Sequence, residues 1–330
     1  MSPRTIAVVG GAGFIGSHLV DRLLVDGHRV RVADDLSSGS LANLAEARQA
    51  DADLTFDHID IAGPEGEAWI SRHQPEVIVH LAALPRRVTR STDLAVAWSR
   101  TLALLDAARR HGTDKTVVVG TICSYPKITP VPFSEDSLWH GYPEETNAPY
   151  GVAKLAQLTQ LQANRDQYGQ RGIYLMPTNL YGPRDKFHPA VSHVIPALIK
   201  KAVDAREAGA DHIEVWGTGA ASREFLYVDD AAEGILLAAE RYDDPDPVNL
   251  GADRELAIRD LVEIIVDLVG FEGEVRWDTT KPDGQPRRGV DGSRARERFG
   301  FVPATDFRTG LAATLEWYLA HRHEAEARSV

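Results

Sequence analysis

Short apolar runs alternate with longer stretches of mixed polarity along the first half of the chain. The apolar runs are rich in Val, Ile, Leu or Ala and predict buried strands at 6–9, 28–33, 77–79, 116–120 and 173–176. The mixed stretches carry apolar residues at helical spacing and predict helices at 14–26, 101–110 and 150–168. This alternation predicts an α/β fold built on a doubly wound parallel sheet with right-handed crossovers.

The pattern changes after residue 176, where Pro and Gly interrupt it often. The elements predicted there are a short strand at 213–216 and helices at 191–205, 231–241, 256–269 and 309–321. Asp230 is predicted to cap the helix at 231–241, and residues 324–330 are predicted to form a loose tail. This irregular part predicts a smaller, mixed lobe beside the sheet.

Three glycines follow the first predicted strand at intervals of three residues. Gly10, Gly13 and Gly16 allow a tight turn and a close approach of the backbone to a pyrophosphate. That pyrophosphate would lie at the N-terminus of the next helix, where backbone N–H groups and the helix dipole favour an anion. The alternative is a glycine-rich turn that binds no ligand.

Asp34 ends the second predicted strand, about 20 residues beyond the glycine loop. A carboxylate at that place accepts hydrogen bonds from an adenosine ribose and repels a 2′-phosphate. The loop, the spacing and the acid together predict dinucleotide binding, and Asp34 favours NAD over NADP.

Tyr150 and Lys154 are four residues apart, so a helix places them on one face. A phenol has an ordinary pKa near ~10, and an ammonium nearby favours the phenolate and lowers that pKa. The pair is therefore a candidate proton donor or acceptor for a carbonyl or alcohol. Thr121 follows the strand at 116–120, at the edge of the sheet where ligands bind, and its hydroxyl is placed to polarise a substrate oxygen.

Composition limits the remaining function classes. The net charge of −12 argues against a nucleic-acid surface, and no apolar run approaches the roughly 20 residues that span a bilayer. A single cysteine, Cys123, excludes an intramolecular disulfide and is typical of a reducing cytoplasm. No cluster of ligand-type residues predicts a metal site.

With the glycine loop, Thr121, Tyr150 and Lys154 in this order, the chain resembles the extended short-chain dehydrogenase/reductases. The resemblance covers nearly all of the chain and implies a Rossmann-type fold, nucleotide-sugar chemistry and a homodimer formed through two helices per subunit. It implies that Tyr150 is the acid/base, that Lys154 binds the nicotinamide ribose, and that Thr121 bonds the substrate. The implied dinucleotide-binding residues are Gly10, Gly13, Phe14, Ile15, Gly16, Asp34, Leu81, Ala82, Ala83, Tyr150, Lys154 and Pro177.

Residues 1–183, with 226–250 returning to them, are accordingly expected to form the dinucleotide-binding domain. Residues 184–225 and 251–330 are expected to form the substrate-binding lobe.

Runs from residue 123 onward are similar to one group within that family, the GDP-L-fucose synthases. They include 123–127 (CSYPK), 177–183 (PTNLYGP), 223–230 (REFLYVDD) and 281–287 (KPDGQPR). This similarity implies epimerisation at C3 and C5 of a GDP-linked 4-keto-6-deoxyhexose, followed by reduction of C4 with NADPH. It assigns the epimerisation to Cys123 and His193, and implies a substrate-binding set of Asn179, His193, Val194, Trp216, Arg223 and Arg288.

Those residue types suit the implied chemistry. A 4-keto group acidifies the protons on C3 and C5, and a thiol and an imidazole both ionise near enough to neutral pH to exchange them. The same residue types also have plain structural interpretations. Cys123 and Trp216 are of kinds often found in cores, His193 could cap a helix, and Arg223 could pair with Asp229 or Glu224.

The N-terminal half departs from the synthase pattern. Residues 10–19 and 34–39 are more similar to NAD-dependent 4-epimerases, and residues 84–92 are unlike the corresponding synthase segment. A redox-neutral NAD-dependent nucleotide-sugar epimerase therefore remains an alternative, and a non-catalytic NAD(P)-sensing protein is a third. A 4,6-dehydratase is disfavoured, because Ile122 and Cys123 follow Thr121 where those enzymes place Asp and Glu.

Overall fold

A computed structural model describes residues 3–50, 52–82 and 91–327. Its strands are β1 (Thr5–Val9), β2 (Arg29–Asp34), β3 (Leu54–His58), β4 (Val77–His80), β5 (Lys115–Val119), β6 (Arg171–Pro177), β7 (Asn179–Tyr181), β8 (His212–Trp216), β9 (Ser222–Tyr227), β10 (Val248–Leu250), β11 (Glu255–Ala257), β12 (Glu274–Asp278) and β13 (Arg287–Arg288).

The helices are α1 (Phe14–Val25), α2 (Ala45–Gln49), α3 (Pro64–His73), α4 (Ser91–Arg110), α5 (Ala148–Tyr168), α6 (Val194–Glu207), α7 (Val228–Arg241), α8 (Ile258–Val269), α9 (Ser293–Phe299), α10 (Phe307–Ala320) and α11 (Arg322–Ala327). Short 3-10 turns lie at Leu41–Leu44, Ile122–Ser124 and Glu135–Ser137.

In the described residues, seven strands form one parallel sheet in the order β10-β6-β5-β4-β1-β2-β3. The order reverses beside β1, which confirms the doubly wound α/β sheet predicted from the alternating pattern. Smaller sheets pair β8 with β12 and join β7, β9, β11 and β13. The mixed second part predicted from the irregular sequence is therefore present.

Both faces of the large sheet are covered, which explains the uninterrupted apolar runs of its strands. Along β1 the side chains alternate, so that Val8 packs in a cluster that contains Leu19 and Ile235, from α1 and α7. Ala7 packs on the other face in a cluster with Trp69 and residues of α3 and α4. Because every strand in the sheet is parallel, all their carboxyl ends lie along one edge.

A separate core supports the smaller sheets. It gathers apolar residues of α6, α8 and α10, and Phe187 stacks on Tyr318 with ring centroids 4.3 Å apart. No helix in the described part of the chain has both the length and the apolar character needed to cross a membrane.

Two local predictions were wrong. Asp230 does not cap a helix, because α7 already begins at Val228 and the Asp230 carboxylate accepts hydrogen bonds from the backbone N–H groups of Ala304 and Thr305. The predicted loose tail is helical as far as residue 327. Burial of Ala325 and a 2.7 Å hydrogen bond from the Tyr318 hydroxyl to Glu326 hold α11 against α10.

Glu224 on β9 fastens two loops to the small sheet. Its side chain is only 1% exposed, and its carboxylate accepts hydrogen bonds from the backbone N–H groups of Ala252, Asp253 and Val290. Its backbone carbonyl accepts a further hydrogen bond of 2.8 Å from the Asn179 amide. The carboxylate thus joins the chain after β10 and the chain after β13 to β9.

We expect Glu224→Gln to lower the free energy of unfolding by about 1–3 kcal/mol at mildly acidic pH, because the new amide N–H faces a backbone N–H and leaves buried donors unpaired. Urea unfolding measures this change. Glu263→Gln on α8, at an exposed position, is the matched control and should leave the free energy of unfolding nearly unchanged.

The same pair of variants tests a pH dependence. Burial raises the pKa of Glu224 to about 7 from an ordinary 4.5. The folded state then holds a proton that the unfolded chain has released, so the stability linked to this proton is present at low pH and is lost as pH rises through about 7. The stability difference between wild type and Glu224→Gln should shrink over that window. A difference that widens with pH would contradict this.

Candidate active site at the carboxyl edge of the sheet

The glycine loop between β1 and α1 is closely packed. Gly10 has a φ of +85°, in the left-handed region, and a side chain there would lie 2.7 Å from the backbone N of Ala82. At Gly16 a Cβ would lie 2.2 Å from the carbonyl oxygen of Gly10. The first turn of α1 therefore approaches the end of β1 at a distance that only glycine allows.

The N-terminus of α1 fits a dinucleotide pyrophosphate. Gly13 occupies the N-cap position and offers no side-chain cap for the N–H groups of the first turn, which begins with Phe14 and Ile15. The first turn also contains no acidic residue that would repel a phosphate. A cradle of this kind, without a Cβ on the glycines that line it, suits an anion bound by backbone N–H groups.

Asp34 lies at the end of β2 and is buried. One carboxylate oxygen accepts a 2.9 Å hydrogen bond from the backbone N–H of Ala12, and the other accepts a 2.8 Å bond from Leu36. Burial raises the pKa of this carboxyl, and the two N–H donors partly offset that rise. Asp34 therefore holds the glycine loop in place as well as ending the strand beside it.

The other predicted dinucleotide-binding positions follow the neighbouring strands. The backbone N–H groups of Leu81 and Ala82, after β4, both donate to the carbonyl oxygen of Val9 at 2.9 and 3.0 Å. Pro177 is the buried last residue of β6. Ala83 lies outside the described residues.

Thr121 and Lys154 both lie at the end of β5, and Tyr150 lies in the first turn of α5. Lys154 is buried, and its ammonium donates a 2.8 Å hydrogen bond to the carbonyl oxygen of Val119, the last residue of β5. Tyr150, one turn earlier on α5, is half-buried. Thr121 begins the 3-10 turn after β5, and its hydroxyl oxygen accepts a hydrogen bond from the backbone N–H of Cys123.

Burial lowers the pKa of Lys154 from 10.5 to about 8. That pKa still lies above neutral pH, so the side chain keeps its positive charge inside a poorly solvated site. A charge in such surroundings acts more strongly on a neighbouring phenol than it would in water.

Cys123 lies on the same 3-10 turn, and its side chain is 7% exposed. A Cβ at Gly151 would lie 2.5 Å from the carbonyl oxygen of Cys123, and the Ser124 hydroxyl donates to the carbonyl oxygen of Gly151. The turn that carries Cys123 is thus pressed against the turn of α5 that follows Tyr150. Arg288 Nη2, from β13, lies 3.2 Å from the Cys123 sulfur.

The Arg223 guanidinium bonds to the backbone of its own strand and of a neighbouring loop. Its Nη1 donates to the carbonyl oxygens of Ser222 and Gln285, each at 2.7 Å, and its Nη2 donates to that of Asp283. Arg223 and Arg288 are register partners on the parallel strands β9 and β13. Arg223 therefore positions the 283–285 loop next to the strand that carries Arg288.

The remaining predicted substrate residues lie at exposed ends of elements. His193 is the exposed N-cap residue of α6, makes no side-chain capping hydrogen bond, and is followed by Val194, which is 37% exposed. Trp216 is 65% exposed at the end of β8, so its interpretation as a core residue was wrong. Lys281 Nζ lies 5.6 Å from the centre of its ring.

Two features of the site were not predicted. The buried Glu224 carboxyl group is one of them, and no local spacing indicates it. The contact between Arg288 and Cys123 is the other, and it joins residues 165 positions apart. Only the position of the carboxylate at 224, directly before the apolar residues 225 and 226 of the strand, could have indicated a buried acid. The described residues contain no group of three or more His, Cys, Asp or Glu side chains placed to hold a metal ion.

Comparison with known proteins agrees with this geometry. The model of the NAD dependent epimerase/dehydratase family matches residues 6–251. GDP-L-fucose synthase 1 of Arabidopsis thaliana is 37% identical over 95% of this chain and 93% of its own length. UDP-glucose 4-epimerase of Mycolicibacterium smegmatis is 33% identical over 96% of this chain and 98% of its own length.

A solved structure shares the fold. The UDP-glucose 4-epimerase of Thermotoga maritima, crystallised with UDP-glucose, superposes with a TM-score of 0.84 at 27% identity. The match covers 96% of this chain and 99% of that one.

The close approach in the glycine loop yields a testable difference between two glycines. Gly16→Ala should displace α1 from Gly10 and cost about 1–3 kcal/mol of stability, with a loss of dinucleotide affinity. Gly13→Ala is the matched variant, because its Cβ would lie 3.1 Å from the Gly10 carbonyl oxygen and its φ of −76° is allowed for alanine. Urea unfolding should show the smaller cost for Gly13→Ala. Equal costs would contradict the packing argument.

Proposed function

Because the chain belongs to the NAD dependent epimerase/dehydratase family, we propose that it is a nucleotide-sugar epimerase/reductase acting on a GDP-linked 4-keto-6-deoxyhexose. The observation that carries the proposal is the contact of the Cys123 turn with the α5 turn of Tyr150 and Lys154. That contact puts a thiol and a phenol beside the same edge of the sheet. The similarity to a GDP-L-fucose synthase over almost the whole chain supports the GDP-sugar.

The glycine loop, the N-terminus of α1, Asp34 and the segments that follow β4 and β6 would hold the dinucleotide. When bound, it supplies a hydride for C4 of the sugar. Tyr150 donates the proton to the C4 oxygen. The Lys154 ammonium, whose pKa of about 8 keeps it charged at neutral pH, favours the phenolate that remains. Thr121 bonds the same substrate oxygen.

Epimerisation needs a base and an acid on opposite faces of the sugar ring. Cys123 takes the proton from a carbon next to the C4 ketone, and the electrons of that C–H bond move toward the ketone oxygen. His193 returns a proton to the other face. The exposed position of His193 at the start of α6 leaves its imidazole accessible to solvent for proton exchange.

The substrate's nucleotide part lies against the smaller sheets. Arg223 provides positive charge for the pyrophosphate, Arg288 lies beside it on β13 at the sugar end of the site, and Asn179 lies at the start of β7. Val194 and Trp216 offer exposed apolar surface at the ends of their elements. We keep residues 1–183 and 226–250 as the dinucleotide-binding domain, and residues 184–225 and 251–330 as the substrate-binding lobe.

The redox-neutral alternative, in which tightly held NAD oxidises and re-reduces C4, is not favoured by the relatives with fucose synthase names. The non-catalytic alternative gives no reason for a buried lysine one turn from Tyr150. We further propose a cytoplasmic homodimer formed through α4 and α5. The large exposed apolar side chains of Trp98, Val152 and Tyr168 on those helices support this proposal.

Tyr150→Phe tests the catalytic assignment. Without the phenolic proton, reduction of a GDP-4-keto-6-deoxyhexose should fall by about 10²–10⁴-fold, followed as the loss of NADH or NADPH absorbance. Dinucleotide affinity, measured by titration calorimetry, should remain within a few-fold of wild type, because the backbone of the glycine loop is untouched. Turnover equal to wild type would show that Tyr150 is not the proton donor.

Asp34→Ala tests the preference for NAD that we propose. Wild type should use NADH better than NADPH, because bringing a 2′-phosphate next to this carboxylate costs on the order of a few kcal/mol. The variant should therefore shift the ratio of kcat/KM values toward NADPH by about tenfold or more. A wild type that prefers NADPH, with a ratio that Asp34→Ala leaves unchanged, would contradict the assignment.

A further inference from the structure

Arg288 makes an unusual contact for an arginine. Its Nη2 lies 3.2 Å from the sulfur of Cys123, a residue that is only 7% exposed. A neutral thiol is a weak acceptor, whereas a thiolate is a good acceptor for a charged donor. The contact therefore places a charged donor where it would stabilise an ionised sulfur.

The positive charge of Arg288 is available to the Cys123 sulfur, because the neighbouring charged groups bond elsewhere. Among the described residues no carboxylate forms an ion pair with Arg288, whereas its neighbour Arg287 pairs with Glu255. The buried acid Glu224, on the neighbouring strand β9, uses both carboxyl oxygens for the backbone N–H groups of residues 252, 253 and 290. The second arginine, Arg223, directs its Nη donors to backbone carbonyl oxygens.

A second atom of the same guanidinium points to a ligand. Arg288 Nε is buried and has no hydrogen-bond acceptor within the described chain. A buried N–H without a partner is unfavourable, so a group that supplies an acceptor at this place is stabilised. An oxygen of a sugar bound against Cys123 would be such an acceptor.

We propose that Arg288 is a positioning residue for Cys123, holding its sulfur as a thiolate and presenting Nε–H to an oxygen of the sugar whose proton the thiolate removes. This inference rests on the proposed epimerase function. In the step itself the C–H bond breaks, its electrons form the enolate at the C4 oxygen, and the proton becomes the thiol hydrogen of Cys123. The guanidinium stays charged throughout, because an arginine does not lose its proton in proteins.

This role differs from the pyrophosphate contact that the family resemblance implies for Arg288. A pyrophosphate ligand predicts that loss of the guanidinium weakens nucleotide binding. A thiolate partner predicts that it changes the ionisation of Cys123 in the absence of any nucleotide. The two roles can therefore be separated by experiment.

The chain offers a clean measurement, since Cys123 is its single cysteine. Ultraviolet thiolate absorbance of the whole protein, with Cys123→Ser as the blank, reports the ionised fraction at neutral pH. Arg288→Gln should lower that fraction about tenfold, because an adjacent opposite charge favours the ionised form by at least that factor. Arg288→Lys keeps a positive charge and should restore part of it. Arg287→Gln removes a neighbouring exposed guanidinium and should leave the fraction unchanged.

The second readout is the affinity for GDP, measured by calorimetry on the same variants. We expect Arg288→Gln to bind GDP within a few-fold of wild type. If the wild-type protein shows no thiolate at neutral pH, the proposal is overturned, and this result does not depend on whether the variants fold. An Arg288→Gln protein with unchanged thiolate and much weaker GDP binding also overturns the proposal.

The thiolate measurement needs no substrate, so it is independent of the proposed function. A protein that holds the thiolate through Arg288 but does not act on a GDP-4-keto sugar would refute the function and retain the ion pair. A protein that is active on that sugar without the thiolate would refute the ion pair and retain the function.

Discussion

The approach of α1 to the end of β1 is the contact on which the nucleotide half of the site depends. The Gly10 carbonyl and the backbone of Gly16 are so close that a single Cβ would separate them. The same turn is bonded to the neighbouring strands, through the Gly10 N–H to Ala33 and through Asp34 to Ala12. With the strands parallel, this turn brings the helix N-terminus, Asp34 and the end of β4 to one edge.

Burial then sets the electrostatics along that edge. Lys154 is surrounded by protein and bonded to Val119, so its charge is poorly screened and its pKa is lowered to about 8. Glu224 is likewise buried, burial raises its pKa to about 7, and its carboxyl oxygens accept hydrogen bonds from backbone N–H groups. Each of these groups is fixed by backbone partners. Proton transfer is therefore left to Tyr150, Cys123 and the ligands.

Features encoded by local spacing were predictable, and features made by distant contacts were not. The glycine spacing and the Tyr150–Lys154 interval each lie within a few residues, so periodicity and residue type were enough. The contact between Arg288 and Cys123, and the place of Asp230 within α7, depend on which loop returns to which strand. The helical tail was missed for a related reason, since burial of Ala325, a hydrogen bond to α10 and ion pairs to α6 hold it.

The central claim is that proton removal by Cys123 and reduction through Tyr150 are separate steps in one site. It is tested most directly by incubating the protein with GDP-4-keto-6-deoxymannose in deuterated water without reduced dinucleotide, then measuring deuterium at C3 and C5 by mass spectrometry. We expect wild type and Tyr150→Phe to incorporate deuterium and Cys123→Ser to incorporate none. Exchange by Cys123→Ser at the wild-type rate, or none by wild type, would contradict the account.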